Sequence, residues 1–596
     1  MFTIDFEPIG RRGSFSPDVS LLECAHKSGI ELVSICGGAG TCERCKIQVI
    51  EGQASELTEV EQVSLSFMEI QKGYRLACQA FPRDNIKLFV PPESLTAPGR
   101  TQVEGMEVHA EVDPPVCGVE IDLHPPTPES PLDDSATLWN ALATRGHKPG
   151  KIDLALLQQL PQMLRQYHRR IAAALKSDEV VGISSSGTHW LGLAVDLGTT
   201  KIAGYLIDME SGLTLASTGI LNPQISCGDD IISRIDYANR SEENRSRLQL
   251  ILIEALNNLI TNLCAMIGAQ TSAVIETVVV GNTVMHHLLM GLPVRQLGTS
   301  PYVPVTTQAL EIKASDLGLQ IAPGAYIHTL PIIAGYVGAD HTAMLLATRL
   351  PDFNGAGLAI DIGTNTEICL NYNGKLTSVS CASGPAFEGA HIRFGMRAAP
   401  GAIEHVRITG DQVEFQTIGR EHPSGICGSG LVDAIAQLRI RGILERSGKF
   451  AAHPRVRRKE QQTEFLLADR GELEPITISQ QDVREVQLAK AAIRAGIQVL
   501  VKSAGISESD LDQVILAGAF GTYIDVRSAL DIGMLPALPV ERFKQVGNAA
   551  GTGARLALIS IKERLFAQDI ARKVGYLELA KVPGFSRTFT NATFLE

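Results

Sequence analysis

Apolar residues in the first ninety-five positions recur in short alternating runs, a period that predicts strands. Residues 2–6 (FTIDF) and 45–50 (CKIQVI) alternate, and 76–80 and 86–90 supply further strand material. Residues 20–28 (SLLECAHKS) instead space their apolar positions for a helix, after the start signal Pro17-Asp18. Residues 10–14 read as a turn. Residues 91–116, with PPESLTAPGRTQVEG and then DPPV, read as a linker. A second unit opens with a strand at 117–123. The stretch 153–176 reads as helical, with Pro161 as a boundary or as the first residue of a second helix.

At Trp190 the texture changes. LGLAVDLGTTKIAGYLID is a strand, a Gly/Thr turn and a second strand, and GLAIDIGTNTEICLNYNG repeats it from Gly357. Two near-copies of one hairpin point to an internal duplication. The expected organisation is a small domain at 1–95, a linker at 96–116, a middle α/β domain at 117–188 and a two-lobed region at 189–596, its second lobe starting at about 345.

Composition narrows the class. With 44% hydrophobic and 20% charged residues, the 596-residue chain can bury several cores and is not globally disordered. The net charge is −12, and the one dense basic run, 455–459 (RVRRK), reads as a solvated loop, so no nucleic-acid partner is expected. No signal peptide is legible, and no run of 18 apolar residues lacks a charge, so no membrane span is expected. Eleven cysteines are too few for a disulfide scaffold and fit a reducing cytoplasm.

Four of those cysteines carry chemistry. Cys36-x5-Cys42-x2-Cys45, with Cys78 thirty-three positions beyond Cys45, offers three thiolates from one glycine-rich loop and a fourth from a distant strand. That is the ligand set of a [2Fe-2S] cluster, and with mixed short strands around one helix it reads as a β-grasp ferredoxin. Zinc is the alternative, but only Cys42 and Cys45 form a CxxC pair. Cys24, on the apolar helix face, reads as core. No flavin or nicotinamide fingerprint follows, so a separate low-potential protein is expected to supply the electron.

The repeated hairpins read as phosphate loops. In the first, Gly198 allows the tight turn, Thr199 and Thr200 offer hydroxyls and amides, and Lys201 adds a positive charge. Asp196 is placed to hold Mg2+ through water or to orient the attacking water. Asp361, Gly363, Thr364, Asn365 and Thr366 repeat the pattern. Residues 281–291 (GNTVMHHLLMG), 514–522 (VILAGAFGT, with Gly518 and Gly521) and 425–433 (GICGSGLVD, with Gly428 and Gly430) add glycine elements that together favour ATP. Asp340 reads as a holder of water near the γ-phosphate or as a helix cap. Glu388 reads as a contact to ribose, phosphate or Mg2+, or as a solvated acid. His286 and His287, adjacent on a helix, read as packing. Cys381 and Cys427 have no cysteine neighbours in sequence, so no second cluster is expected.

With these pieces in order, the chain resembles the reductive activators of corrinoid proteins along essentially its whole length. The resemblance rests on Cys36, Cys42, Cys45 and Cys78, on DLGTTK, DIGTNTE, GNTVMHHLLMG and LAGAFG, and on SCASGPAFEGAHI and GICGSGLVD. It implies a multidomain α/β fold: an N-terminal ferredoxin, a small middle domain, and a C-terminal ATPase of the actin/Hsp70/sugar-kinase (ASKHA) type. The implied activity is ATP-dependent transfer of one electron to the Co(II) corrinoid of a partner in a methyltransferase system. A homodimer fits the family. Alternatives are a redox-linked ATPase activating another metalloenzyme and a small-molecule kinase with a ferredoxin appendage.

Overall fold

The computed structural model describes residues 1–596 except 8–10, 29, 31, 33, 35, 43, 92–93, 95–104, 107, 109, 125–126, 130, 168–169, 229, 460–461 and 472. Most of the expected linker lies outside the described residues.

The N-terminal strands β1 (Phe2–Glu7), β2 (Arg11–Phe15), β3 (Lys46–Glu51), β4 (Tyr74–Leu76) and β5 (Ile86–Phe89) form one sheet in the order β2-β1-β5-β3-β4. Helix α1 (Leu21–Lys27) is capped by Ser20 and buries Leu21, Leu22, Cys24 and Ala25. Short helices α2 (Glu59–Ser64) and α3 (Phe67–Gln71) each begin with a capping box. The turn expected at 10–14 is corrected: 11–15 is a strand, paired antiparallel from Phe2↔Phe15 to Phe6↔Arg11.

The next sheet combines β6 (Val116–Asp122), β7 (Lys151–Ile152), β8 (Arg170–Lys176) and β9 (Glu179–Ser185) in the order β6-β8-β9-β7, under α4 (Asp134–Thr144) and α5 (Leu154–Gln166). Two helical expectations are corrected here. Residues 170–176 form the strand β8, because this alanine-rich segment is buried on both faces: Ile171, Ala173 and Leu175 beneath α4 and α5, Ala172 and Ala174 against the core containing Trp190. Tertiary burial overrides local helix propensity. Pro161 does not break α5. The carbonyl it leaves unbonded is that of Leu157, on the exposed side of the helix, where water can serve it.

The C-terminal region contains two sheets that share a five-strand order and differ in where the sixth strand is added. The first runs β12-β11-β10-β13-β15-β14, from β10 (Leu191–Leu197), β11 (Lys201–Asp208), β12 (Thr214–Leu221), β13 (Val274–Gly281), β14 (Leu310–Lys313) and β15 (Tyr326–Thr329). It is joined by α6 (Ile231–Arg240), α7 (Glu242–Met266), α8 (Thr283–Leu289) and α9 (Ala339–Thr348). The second lobe opens with β16 (Ala356–Asp361), β17 (Thr366–Tyr372) and β18 (Lys375–Cys381). Two small three-stranded sheets follow: β19 (Ala402–Thr409), β20 (Gln412–Thr417) and β21 (Gly425–Ile426), then β22 (Val456–Lys459), β23 (Gln462–Arg470) and β24 (Leu473–Ser479). The large second sheet is completed by β25 (Gln513–Ala517), β26 (Phe543–Gly547) and β27 (Gly575–Tyr576), in the order β26-β25-β16-β17-β18-β27. In each lobe an antiparallel three-strand meander is extended by a strand parallel to the first, β13 beside β10 and β25 beside β16.

Helix α9, with α14 (Ala549–Ile559) and α15 (Ile561–Lys573), fills the layer between these sheets and shares one core with both, including Ala194, Val278, Ala359 and Ile515. The outer face of the first sheet packs on α7, whose Leu248, Leu252, Leu256, Leu259 and Leu263 are buried. Among the described residues α7 is the one helix long and apolar enough to cross a membrane. The described end of the linker is not free. Met106 N donates to Val546 O (3.1 Å) and Asp113 N to Ile559 O (2.9 Å), while Met106, Val108 and Ala110 pack on the interlobe core.

Candidate functional site

The fold builds two sites. In the first, Cys45 stands at the start of β3 and Cys78 just past β4, and Ala77 N donates to Cys45 O at 2.9 Å, fixing the two strand ends together. The loop from Cys36 to Cys42 reaches over them, with Gly37, Gly38 and Gly40 all at positive φ. Its backbone is tied from outside. Gln79 Nε2 donates to Gly38 O (2.6 Å), Gly38 N to Ser34 Oγ (3.2 Å) and Ser64 Oγ to Gly40 O (3.3 Å).

The sulfurs meet in pairs, Cys36 with Cys42 and Cys45 with Cys78, joined by a Cys36–Cys78 contact. Hydrogen bonds from Cys42 and Cys78 hold the Cys36 thiol below its usual range, and contacts to Cys36 and Cys45 push Cys78 up. Two thiols per metal is what a two-iron core bridged by sulfide requires, so these residues fit the group. Among the described residues no three His, Cys, Asp or Glu side chains surround a single ion. Cys24 is fully buried in the domain core, and burial pushes its thiol up to about 12.

The second site is the cleft between the lobes. The two hairpins face each other across it: Asp196, Gly198, Thr199, Thr200 and Lys201 from one side, Asp361, Gly363, Thr364 and Asn365 from the other. Asp340, Glu388, Gly428 and Gly518 also line it. Asp340 is the second residue of α9, whose cap is Gly338, so it is not the cap itself. Glu388 accepts from Thr364 Oγ1. Gly518 begins α12 (Gly518–Tyr523) directly after β25, where a short helix replaces the expected glycine loop. A Cβ there would lie 2.5 Å from Asp361 Oδ1, and its φ is +85°.

Three expected residues lie outside the lining. Thr366 is buried and pairs with Ser383 Oγ at 2.8 Å, and Ser383 in turn holds Gly363 O and Thr364 O. Gly430 packs inside α10 (Gly428–Ile440), where a Cβ would collide with Ile403 O. Gly521 packs on Leu516. His286 and His287 are buried. His287 accepts from Val305 N (2.9 Å) and contacts Thr283 O, and His286 contacts Thr329 Oγ1.

The cleft floor is a cluster of acids, with Asp196, Asp340 and Asp361 half-buried and Glu367 buried. Burial raises Asp196 to about 6, Asp361 to about 7 and Asp340 to about 8, with the neighbouring carboxylates reinforcing the last two. Glu367, paired with Asp361 across β16 and β17, is raised well above its usual value by burial and by Asp340 and Asp361. Burial lowers Lys201, against the pull of Glu388.

Sequence reasoning missed several lining residues. Asn548, the cap of α14, donates to Asp196 Oδ2 (2.8 Å), and Asn282, the cap of α8, donates to Thr199 Oγ1 (2.9 Å). Both follow a strand that ends in Gly-Asn, Gly281-Asn282 and Gly547-Asn548, a shared signal visible in the sequence. Arg397 lines the cleft with a buried Nη1 that has no hydrogen-bond partner among the described residues. An orphaned guanidinium nitrogen facing acids and a lysine fits an anionic ligand that carries its own cation. Phe387 and Phe520 stack at 4.6 Å on the cleft wall, giving a flat apolar surface suited to a base.

Comparison with known proteins agrees along the whole chain. Family profiles match as a 2Fe-2S iron-sulfur cluster binding domain (5–83), a RACo linker region (106–189), a RACo middle region (191–352) and the C-terminal domain of RACo, the ASKHA domain (356–596). The corrinoid activation enzyme RamQ of Eubacterium limosum is 33% identical over 94% of this chain and 93% of its own length. The [Co(II) methylated amine-specific corrinoid protein] reductase of Methanosarcina barkeri is 28% identical over 67% of this chain and 75% of its own. The solved structure of a reductive activator for corrinoid, iron-sulfur protein superposes with a TM-score of 0.73 at 34% identity, covering 100% of this chain and 98% of that one. With both sites in place and this similarity running end to end, the chain belongs to the RACo family of corrinoid reductive activators.

Proposed function

We propose that this protein is an ATP-dependent reductive activator that passes one electron to the Co(II) corrinoid of a partner protein, restoring Co(I) for methyl transfer. The observation that carries the reading is one chain holding both a paired four-thiol loop and two opposed aspartate hairpins, matched end to end by relatives named for corrinoid activation. A [2Fe-2S] cluster held by Cys36, Cys42, Cys45 and Cys78 supplies a single low-potential electron.

The cleft residues handle Mg-ATP. Arg397, Lys201 and the loop amides at Gly198–Thr200 and Gly363–Asn365 meet the phosphate charge. Asp196 and Asp361 would hold Mg2+, an ion that prefers carboxylate and water oxygens. Asp340 orients the attacking water, and Glu388, fixed by Thr364, contacts the ribose or the metal hydration shell. Hydrolysis leaves the cluster's potential as it was. It changes which complex, before or after electron transfer, is held more tightly, and thereby drives an uphill transfer. A separate low-potential donor protein, a homodimer and a cytoplasmic location complete the reading.

The test is spectroscopic. Anaerobic holoprotein reduced by a low-potential donor is mixed with a Co(II) corrinoid protein, with and without Mg-ATP. The reading expects the Co(I) spectrum, faster with ATP and lost on Cys42→Ser. A reducible cluster and ATP hydrolysis without Co(I) from any corrinoid partner would shift the target to another metalloenzyme.

A further inference from the structure

The cluster loop rests on both lobes of the ATPase region at once. On the first lobe, Gly37 approaches so closely that a Cβ there would lie 2.8 Å from Cys227 O. On the second, Arg44 Nη2 donates to Ile392 O at 2.9 Å. A third contact, Arg247 Nη2 to Glu23 Oε1 at 2.8 Å, ties α1 to α7.

Each lobe contact is the outer end of a segment whose inner end forms the nucleotide cleft. On the first lobe the 3-10 turn Pro223–Cys227 starts at Asn222, which holds Gly198 O through Nδ2 and Thr200 O through its amide, both at 2.9 Å. Arg234, fully buried, braces both ends. It donates to Thr199 O (2.5 Å), Gly228 O (2.9 Å) and Gln224 Oε1 (3.1 Å). A buried guanidinium fixed by acceptors that include Thr199 O and Gly228 O transmits a shift of Thr199 to Gly228, since losing any one bond is costly. On the second lobe Ile392, its side chain buried in that lobe's core, lies in the segment between Glu388 and Arg397, both of which line the cleft.

We propose that the ferredoxin domain is docked as a strap across the two lobes, and that nucleotide in the cleft releases it, presenting the cluster loop to the partner only in the loaded state. The inference rests on the reading that the cleft takes Mg-ATP. A loop tied at Gly38 and Gly40 to Gln79, Ser34 and Ser64 matches one separation of Cys227 and Ile392, so a ligand that draws the lobes together breaks at least one contact. Dock and nucleotide then oppose each other, and by linkage removing the dock tightens nucleotide binding.

Hydrogen exchange on the full-length holoprotein, with and without a non-hydrolysable Mg-ATP analogue, tests this. In the wild type the analogue raises amide exchange in residues 36–42 and 225–228 together. Arg44→Ala with Arg247→Ala raises it without nucleotide and binds the analogue about fivefold or more tightly. The charge swap Glu23→Arg with Arg247→Glu keeps the wild-type pattern, which separates undocking from misfolding. Analogue binding that leaves residues 36–42 unchanged, or a double variant that binds it no tighter, overturns the proposal. A wild type that binds no nucleotide at all counts instead against the Mg-ATP reading.

Discussion

Asp196, Asp340 and Asp361 keep their protons to about 6, 8 and 7 in the folded chain, because burial disfavours the charged form. In the unfolded chain they lose them near the ordinary value of about 3.9. Between these limits the folded state binds more protons than the unfolded one, so stability falls as pH rises from about 4 to about 8. Without Mg2+ and nucleotide, the melting temperature of the ATPase region should drop steadily from pH 5 to pH 8. Asp361→Asn should flatten that slope and gain about 2 kcal/mol at pH 8. Each tenfold excess of proton affinity it relieves is worth about 1.4 kcal/mol, and coupling to the neighbouring acids takes part of that back. On the proposed reading that Asp361 holds the metal, the variant should also lose about 100-fold in ATP hydrolysis, since such a metal is worth several kcal/mol to the transition state. An unchanged slope would mean that these acids are solvated. At the other site Glu61 is fully buried beside Cys78's strand. Burial raises its carboxyl, but Arg75 and the amides of Thr58 and Leu76 outweigh this and hold it below its usual range. Glu61→Gln leaves the Arg75 guanidinium, 10% exposed, without its counter-ion. The ferredoxin domain should lose about 3 kcal/mol, read as earlier thermal bleaching of the cluster's visible absorbance.

At the scale of elements, the site is made where strands hand over to helices. β25 passes into α12 without a loop, and this is possible because Gly518 takes φ +85° against Asp361. Gly518→Ala should therefore cost about 1–2 kcal/mol in backbone strain and weaken nucleotide binding by pushing on Asp361, both visible in a titration followed by thermal shift. An unchanged dissociation constant would place Asp361 outside nucleotide recognition. The same scale explains what the sequence makes legible. The cysteine spacing and the twin hairpins are local signals, tied to chemistry that tolerates few alternatives, and the duplicated sheet order follows from the hairpins. The segment 170–176 misleads because its alanines record burial on two faces, which no periodicity within seven residues expresses. Pro161 misleads for the opposite reason: its cost depends on whether the Leu157 carbonyl meets water. Arg397 is invisible in sequence because it enters the cleft from a loop with no pattern, and Thr366 carries a motif letter yet serves the cleft only through Ser383.

For the whole molecule, the placement of cores decides what unfolds together. The ferredoxin core is closed, drawing every buried residue from between Ile4 and Val90. The β6–β9 sheet instead shares a core with the first lobe through Ala172, Ala174 and Trp190, and the lobes share another through α9 and α14. From Val116 onward the described residues therefore form one cooperative body, which the N-terminal domain touches through contacts such as Arg247–Glu23, Arg44–Ile392 and the close approach of Gly37 to Cys227. A domain this small has little apolar surplus, so its metal group should carry a large part of its stability. Calorimetry should then show two transitions. Stripping iron with a chelator under reducing conditions should abolish the lower one, which tracks the visible absorbance. The upper one should persist, with nucleotide at 100 times its dissociation constant still adding about 2.7 kcal/mol. If iron removal instead lowered both transitions together, the ferredoxin domain would be an integral part of the ATPase fold, and a domain that cannot leave its seat could not carry an electron to a partner by undocking.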